Sequence, residues 1–382
     1  MVLRVVCAPD SFKESMTAAE AARAMAEGVL RAGPGVDCVC VPMADGGEGT
    51  TRTLVDALGG RLVQTVCADA LGRPRPAGYG LVAASGLAVI EVAQACGLEW
   101  IEPGERDVRR ATSAGVGELI RHALDAGARR LLIGLGGSAT NDAGTGMLSA
   151  LGARFLDATG TELAPGGAAL AGLARVDLDG LDPRLAECTI ELACDVDNPL
   201  LGRRGASAVF GPQKGADAAA VAELDAALAR WADVVEPTVG RPVRDLPGSG
   251  AAGGLGAAFL AFTSATSGRG VELVARTVGL ADQLAGADWV FTGEGRIDAQ
   301  TSHGKTPWGV AAVARAAGVP VVLFGGQIDA SASALLGDVV ALVPITRGPT
   351  PLGTALAEGK ANLAAAAESV TRLLLAGRAA QP

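Results

Sequence analysis

The sequence predicts an α/β chain built on a doubly wound parallel sheet, with a second α/β region inserted into it. Three observations carry this reading. Short β-branched runs alternate with Ala-rich helical stretches at both ends of the chain, the texture between them turns hairpin-like, and Gly- and carboxylate-rich segments recur directly after the strand-like runs.

The first run, LRVVCA, leads to a helix that opens at Thr17-Ala-Ala-Glu20, a capping box, and stops near Gly33-Pro34. DCVCVP is followed by a helix from about Thr50, and RRLLIGL by a helix from Asn141. Towards the C-terminus ADWVF, a helix from Pro307, VPVVLF and VVALVPI repeat the pattern before a last Ala/Leu-rich helix. Between these ends, LVQTVCADALGRPRPAGYGLVAASGLAVIEVA alternates like hairpins, and Asp157 to Asp197 carries short strands among Gly/Asp turns. The boundaries expected are 1–64 with 285–382 for the discontinuous first domain and 65–284 for the inserted one, with 113–150 able to belong to either.

A chain of 382 residues can bury two cores without disulfides. Its net charge of −9 and lack of any basic block argue against a nucleic-acid partner. No apolar run is long enough to span a membrane, and the start, MVLRVVCAPD, lacks the pattern of an export signal. Seven cysteines without CxxC pairs read as reduced thiols, most of them buried, of a cytoplasmic protein. Lysine is scarce: Lys13, Lys214 and Lys305 lie in Gly/Ser-dense stretches, whereas Lys360 sits in a plain helical pattern.

In an open parallel sheet, ligands bind beyond the carboxyl ends of the strands, where loops converge and helix N-termini present N–H groups. Five segments fit: Asp10-Ser11-Phe12-Lys13, Ala44 to Gly49, Gly136 to Asp142, Gly293 to Arg296, and Gly325-Gly326-Gln327. The stretch FTGEGRIDAQTSHGKT ends in Gly-Lys-Thr but is not a Walker A loop, because Ala299 stands where its first glycine belongs. Its spacing instead places Thr306 as an N-cap and Pro307 at the first helical position, so that Gly304 and Lys305 could meet an anion. His303 beside them is read as structural. Asp195, Asp197 and Asn198 end another strand-like run and could hold Mg²⁺ or accept a hydroxyl proton. Lys214 and the Gly-rich loop Pro247 to Gly254 suggest further anion contacts from the inserted region.

Taken in order, APDSFKESMTAAEAA, PMADGGEGT, GLGGSATNDAGTGML, CDVDNPLLG, FGPQKGA, PGSGAAGGLG and TGEGRIDAQTSHGKTPWGVA resemble the bacterial glycerate kinase family of the two-domain glycerate 2-kinase type. The resemblance implies a Rossmann-like domain carrying an inserted one, and ATP-dependent phosphorylation of D-glycerate to 2-phospho-D-glycerate with Mg²⁺. Phosphoryl transfer needs placement and charge neutralisation more than a reactive side chain, which suits such a loop-built site.

On that footing Asp195 is the expected base, with Asp45 the alternative. Asp197, Glu294 and Asp298 are expected around the metal. Asp10, Ser11, Lys13 and Arg296 would hold glycerate, the last two facing its carboxylate, with Lys13 also offsetting charge in the transfer. Gly136, Gly137, Ser138 and Lys305 would hold the nucleotide phosphates. Hinge closure between two domains would exclude water. The expected partner is a small-molecule substrate, with a homodimer as the assembly to test.

A competing reading is an NAD(P)-dependent oxidoreductase acting on a small hydroxy acid. It rests on Gly134-Leu-Gly136-Gly-Ser-Ala139, a G-x-G-x-x-A match after a strand, with Asp157 about twenty residues on. A non-catalytic binding protein for an organic acid is the third.

Overall fold

The computed structural model describes residues 2–298, 301 and 305–379. His303 and Gly304 lie outside them. Among the described residues the strands, numbered along the chain, are β1 (Leu3–Cys7), β2 (Val36–Cys40), β3 (Arg61–Ala68), β4 (Pro74–Val82), β5 (Leu87–Glu91), β6 (Arg130–Gly134), β7 (Arg154–Leu156), β8 (Arg175–Asp177), β9 (Thr189–Ala193), β10 (Thr266–Gly268), β11 (Trp289–Ile297), β12 (Val321–Ile328) and β13 (Ala341–Pro344). The chain divides into two compact units, one of residues 1–45, 52–59 and 271–382, the other of 46–51 and 60–270. Residues 60–64 fall in the second unit because β3 pairs with β4 along its whole length. The segment 113–150 is in the second unit too, where β6 pairs with β5 and β9.

The first unit holds a parallel sheet in the order β13-β12-β11-β1-β2. Counted within the unit this is the 2-1-3-4-5 order of flavodoxin-like doubly wound sheets, whose switch point falls between β1 and β11. Right-handed crossovers leaving in opposite directions put helices on opposite faces. Alternation in β1 matches: Leu3, Val5 and Cys7 pack with Ala21, Met25, Val29 and Leu363 on one face, while Val6 is buried on the other.

The helix Ala18–Arg31 begins where the sequence indicates. Glu20 N–H donates to Thr17 Oγ1 at 3.2 Å and Thr17 N–H donates to Glu20 Oε2 at 2.9 Å, which closes the capping box. It packs on the C-terminal helix Gly359–Ala379 so closely that a Cβ on Gly28 would stand 2.0 Å from the Ala364 carbonyl oxygen.

Two sequence expectations shift here. Gly293 to Arg296 and Gly325 to Gln327 are not loops: β11 and β12 run on to Ile297 and Ile328, still paired. Glycine serves close backbone approach in these strands, since a Cβ on Gly293 would meet the Phe324 carbonyl oxygen at 2.2 Å. The helix at the Gly-Lys-Thr stretch spans Thr306–Ala316, so Lys305 is the cap position and the Thr306 side chain is free for another partner.

The second unit holds a six-stranded mixed sheet, β10-β9-β6-β5-β4-β3, and the antiparallel pair β7-β8. The hairpin-like alternation is realised as β3, β4 and β5 pairing antiparallel. Its core gathers Tyr79, Ile90, Ile120, Ile133, Trp231 and Phe259. The helix expected from Asn141 begins at Thr145, because Asn141 and Asp142 are fully buried in the preceding loop. All seven cysteines are free thiols. No helix of the described residues is long and apolar enough to cross a membrane.

Candidate active site

In the first unit, the polar residues collect at the switch point. The backbone after β1 stays tied to β11, with Ala8 N–H on the Phe291 carbonyl at 2.7 Å and Asp10 N–H on that of Gly293 at 2.9 Å. Asp10 Oδ1 accepts from Ser11 N–H at 2.6 Å, and Oδ2 accepts from the Thr306 hydroxyl. Burial pushes the Asp10 carboxyl up to about 6; the Thr306 hydrogen bond works against this and the Asp45 charge adds to it.

Glu294 lies on β11 with Arg296 two residues on, facing the same side of the strand. Burial pushes Glu294 up to about 7, opposed by Lys305 and reinforced by Asp10. The Lys305 ammonium stands 3.4 Å from Glu294 Oε1 and 3.6 Å from Asp298 Oδ1, and Thr301 Oγ1 donates to Glu294 Oε1 at 3.1 Å. Arg296 pairs with Asp329 at 2.8 Å. Lys13 is exposed and forms no ion pair among the described residues. The unit therefore brings together Asp10, Ser11, Glu294, Asp298 and Lys305. Two neighbouring carboxyls pushed up by burial, one of them beside an ammonium, are a recurrent mark of functional sites.

In the second unit, the loop after β6 exposes Gly136 and Gly137, while Ser138 is buried. Ser138 Oγ accepts from the Lys214 ammonium at 3.0 Å, and that ammonium also donates to the Thr140 carbonyl at 2.7 Å. Lys214, read from the sequence as an anion contact, is thus buried behind the loop. Asp142 accepts from Ser113 N–H at 2.8 Å, Ser113 Oγ at 2.9 Å, Gly144 N–H at 3.1 Å and Gly146 N–H at 3.2 Å. Its pKa is raised by burial, against those hydrogen bonds.

Asp195 is exposed after β9, and its Oδ1 accepts from Gly270 N–H at 3.0 Å. Asp197, also exposed, pairs with Arg204 at 3.0 Å. Among the described residues no group of three or more His, Cys, Asp or Glu is placed to hold a metal ion. Glu294 and Asp298 alone suit Mg²⁺, which typically takes one or two carboxylates and completes its shell with water and substrate phosphates.

Two contributors escaped the sequence reading. Glu91, ending β5, is buried and accepts from Thr51 N–H at 2.7 Å and, more weakly, Gly49 N–H at 3.4 Å, so it anchors the glycine-rich segment after Gly46. Thr306 holds Asp10 rather than capping its helix. A carboxylate at the end of an apolar run was the available signal for Glu91; nothing local marks the Thr306 contact.

The G-x-G-x-x-A match at residues 134–139 lacks the context that motif needs. The next helix opens only at Thr145, and Asp157 closes an exposed turn by accepting from Thr159 and Thr161 N–H at 2.8 and 3.0 Å.

The model of the glycerate kinase family matches residues 5–375. A glycerate kinase of Bacillus subtilis (strain 168) is 48% identical over 92% of this chain and 92% of its own length. The glycerate 2-kinase of Escherichia coli (strain K12) is 46% identical over 85% of this chain and 86% of its own. A crystal structure from Salmonella typhimurium LT2, assigned as glycerate kinase 2, superposes with a TM-score of 0.92 at 46% identity, covering 99% of this chain and 100% of that one.

Proposed function

The chain belongs to the glycerate kinase family and is a phosphotransferase, and from that premise we propose that it transfers the γ-phosphoryl group of ATP to D-glycerate, giving 2-phospho-D-glycerate. The observation that carries the site assignment is the set of Asp10, Glu294, Asp298 and Lys305 at the switch point between β1 and β11, where this sheet type binds its ligands.

Lys13 and Arg296 bind the glycerate carboxylate, and Asp10 and Ser11 orient its hydroxyls. With its carboxyl at about 6, Asp10 is mostly ionised at neutral pH and accepts a hydroxyl hydrogen bond. Asp195 takes the proton of the attacking hydroxyl, with Asp45 as the alternative. Backbone N–H groups of Gly136 and Gly137, together with Ser138 and Lys305, hold the nucleotide phosphates. Mg²⁺, held by Glu294 and Asp298, would neutralise charge on the phosphates. Asp197 has no assigned part, since Arg204 engages it on the surface. The free thiols suit a reducing cytoplasm.

The test is ADP release with Mg-ATP and D-glycerate, with L-glycerate as control, followed by phosphorus NMR of the product. D-glycerate-dependent release and the coupling pattern of a phosphate on the secondary carbon are expected. Glycerate binding without ADP release would overturn the proposal, and a 3-phosphate pattern would overturn its regiochemistry.

A further inference from the structure

We propose that Lys214 is a positioning residue for the nucleotide phosphates: its buried ammonium holds the Gly136–Ser138 backbone in the conformation that receives them. This rests on the reading of that loop as the phosphate cradle.

The loop is pinned from behind and open in front. Gly137 has φ +74°, its carbonyl accepts from Leu98 N–H at 2.8 Å, and Ala139 N–H donates to the Cys96 carbonyl at 2.8 Å. Gly136 and Gly137 are the central residues of a turn, and their N–H groups find no acceptor among the described residues, so two successive donors are left for an anion. Ser138 was expected among the residues that hold the phosphates. Its hydroxyl accepts from Lys214 and keeps its own proton to donate.

Lys214 is 2% exposed, at the end of a short 3₁₀ turn, Pro212–Lys214. Its ammonium bridges Ser138 Oγ and the Thr140 carbonyl, on the C-terminal flank of the two exposed glycines. A buried ammonium costs several kcal/mol to desolvate, so plain packing would favour an apolar side chain here. Burial pushes its pKa down to about 8, with Cys96 and Asp142 acting against the fall, so the charged form persists at neutral pH. Held under the exposed Gly136 and Gly137, the charge adds to the attraction for an anion through a low dielectric.

The experiment is steady-state kinetics and melting of Lys214→Met, Ser138→Ala and Gly137→Val in the full chain. Lys214→Met is expected to raise KM for Mg-ATP roughly tenfold, a larger change than in kcat or in KM for glycerate. Ser138→Ala, which removes one acceptor and leaves the lysine, is expected to raise it roughly threefold. A purely structural role would lower the melting temperature and active fraction while leaving KM for Mg-ATP unchanged, and that result would overturn the inference. If Lys214→Met does not fold, Ser138→Ala decides: an unchanged KM overturns, a raised one supports. Gly137→Val tests the underlying reading separately. Unchanged KM for Mg-ATP there would sink the cradle itself, whereas a raised KM there with none in the lysine variant would sink only the role of Lys214.

Discussion

The Thr306 hydroxyl donates to Oδ2 of Asp10, tying the first turn of the helix Thr306–Ala316 to the loop after β1. A hydrogen bond to a charged group contributes about 1.5–3 kcal/mol. Thr306→Ala should therefore lower kcat/KM for glycerate by about tenfold or more, whereas Thr306→Ser, which keeps the hydroxyl, should stay within about threefold of the parent. Equal losses in the two variants would show that the methyl group, not the hydrogen bond, matters.

The raised carboxyl of Asp10 makes stability depend on pH with a defined sign. Between its ordinary value of 3.8 and about 6 the folded chain binds more protons at this site than the unfolded chain. Stability from Asp10 therefore falls as pH rises through that window and levels off above it. The full change is up to about 3 kcal/mol. Asp10→Asn keeps an acceptor for Thr306 but cannot titrate, so denaturant melts without Mg²⁺ should show the variant gaining on the parent from pH 4 to pH 6.5. A constant difference across that range would refute the assignment.

Gly28 tests the packing that supports the β1 loop. Alanine would gain about 1 kcal/mol of helix propensity, but its Cβ would stand 2.0 Å from the Ala364 carbonyl, forcing the helices Ala18–Arg31 and Gly359–Ala379 apart. Overpacking costs about 1–3 kcal/mol. Gly28→Ala should lower the melting temperature by several degrees, and an unchanged or higher value would mean that the helices shift freely.

The parallel sheet was legible because β1, β2 and β12 contain Val-rich apolar runs, and the Thr17 box marks its helix locally. What escaped was tertiary. Gly293 and Gly325 read as turn residues, yet they are strand positions that accommodate neighbouring backbone and side chains. Lys214 stood out by scarcity, but its burial depends on Ser138 and Thr140, more than seventy residues away. The carboxyls of Asp10 and Glu294 owe their raised pKa values chiefly to burial, which no local pattern records.

Lys305 neutralises the carboxylates proposed for Mg²⁺, standing 3.4 Å from Glu294 and 3.6 Å from Asp298. A cation entering between those carboxylates competes with the ammonium. Lys305→Met should therefore bind Mg²⁺ about tenfold more tightly in calorimetry without nucleotide, while losing turnover because a phosphate contact is gone. Weaker or unchanged Mg²⁺ binding would remove Glu294 and Asp298 as ligands.

Asp195→Asn separates the two candidate bases with little risk to the fold. Asp195 is exposed, and its Oδ1 accepts from Gly270 N–H at 3.0 Å, a contact that an asparagine oxygen can retain. Positioned proton transfer contributes about 10²–10⁴ in rate. If Asp195 takes the hydroxyl proton, the asparagine variant should lose kcat by about a hundredfold or more with substrate binding kept, because only the proton acceptor has changed. Asp45→Asn serves as the comparison, since the Asp45 charge already acts on Asp10 in the first unit. A kcat within threefold of the parent for Asp195→Asn, with a hundredfold loss for Asp45→Asn, would move the base to Asp45. Comparable kcat values for both variants and the parent would mean that no carboxylate base is needed, leaving charge neutralisation and placement to carry the reaction.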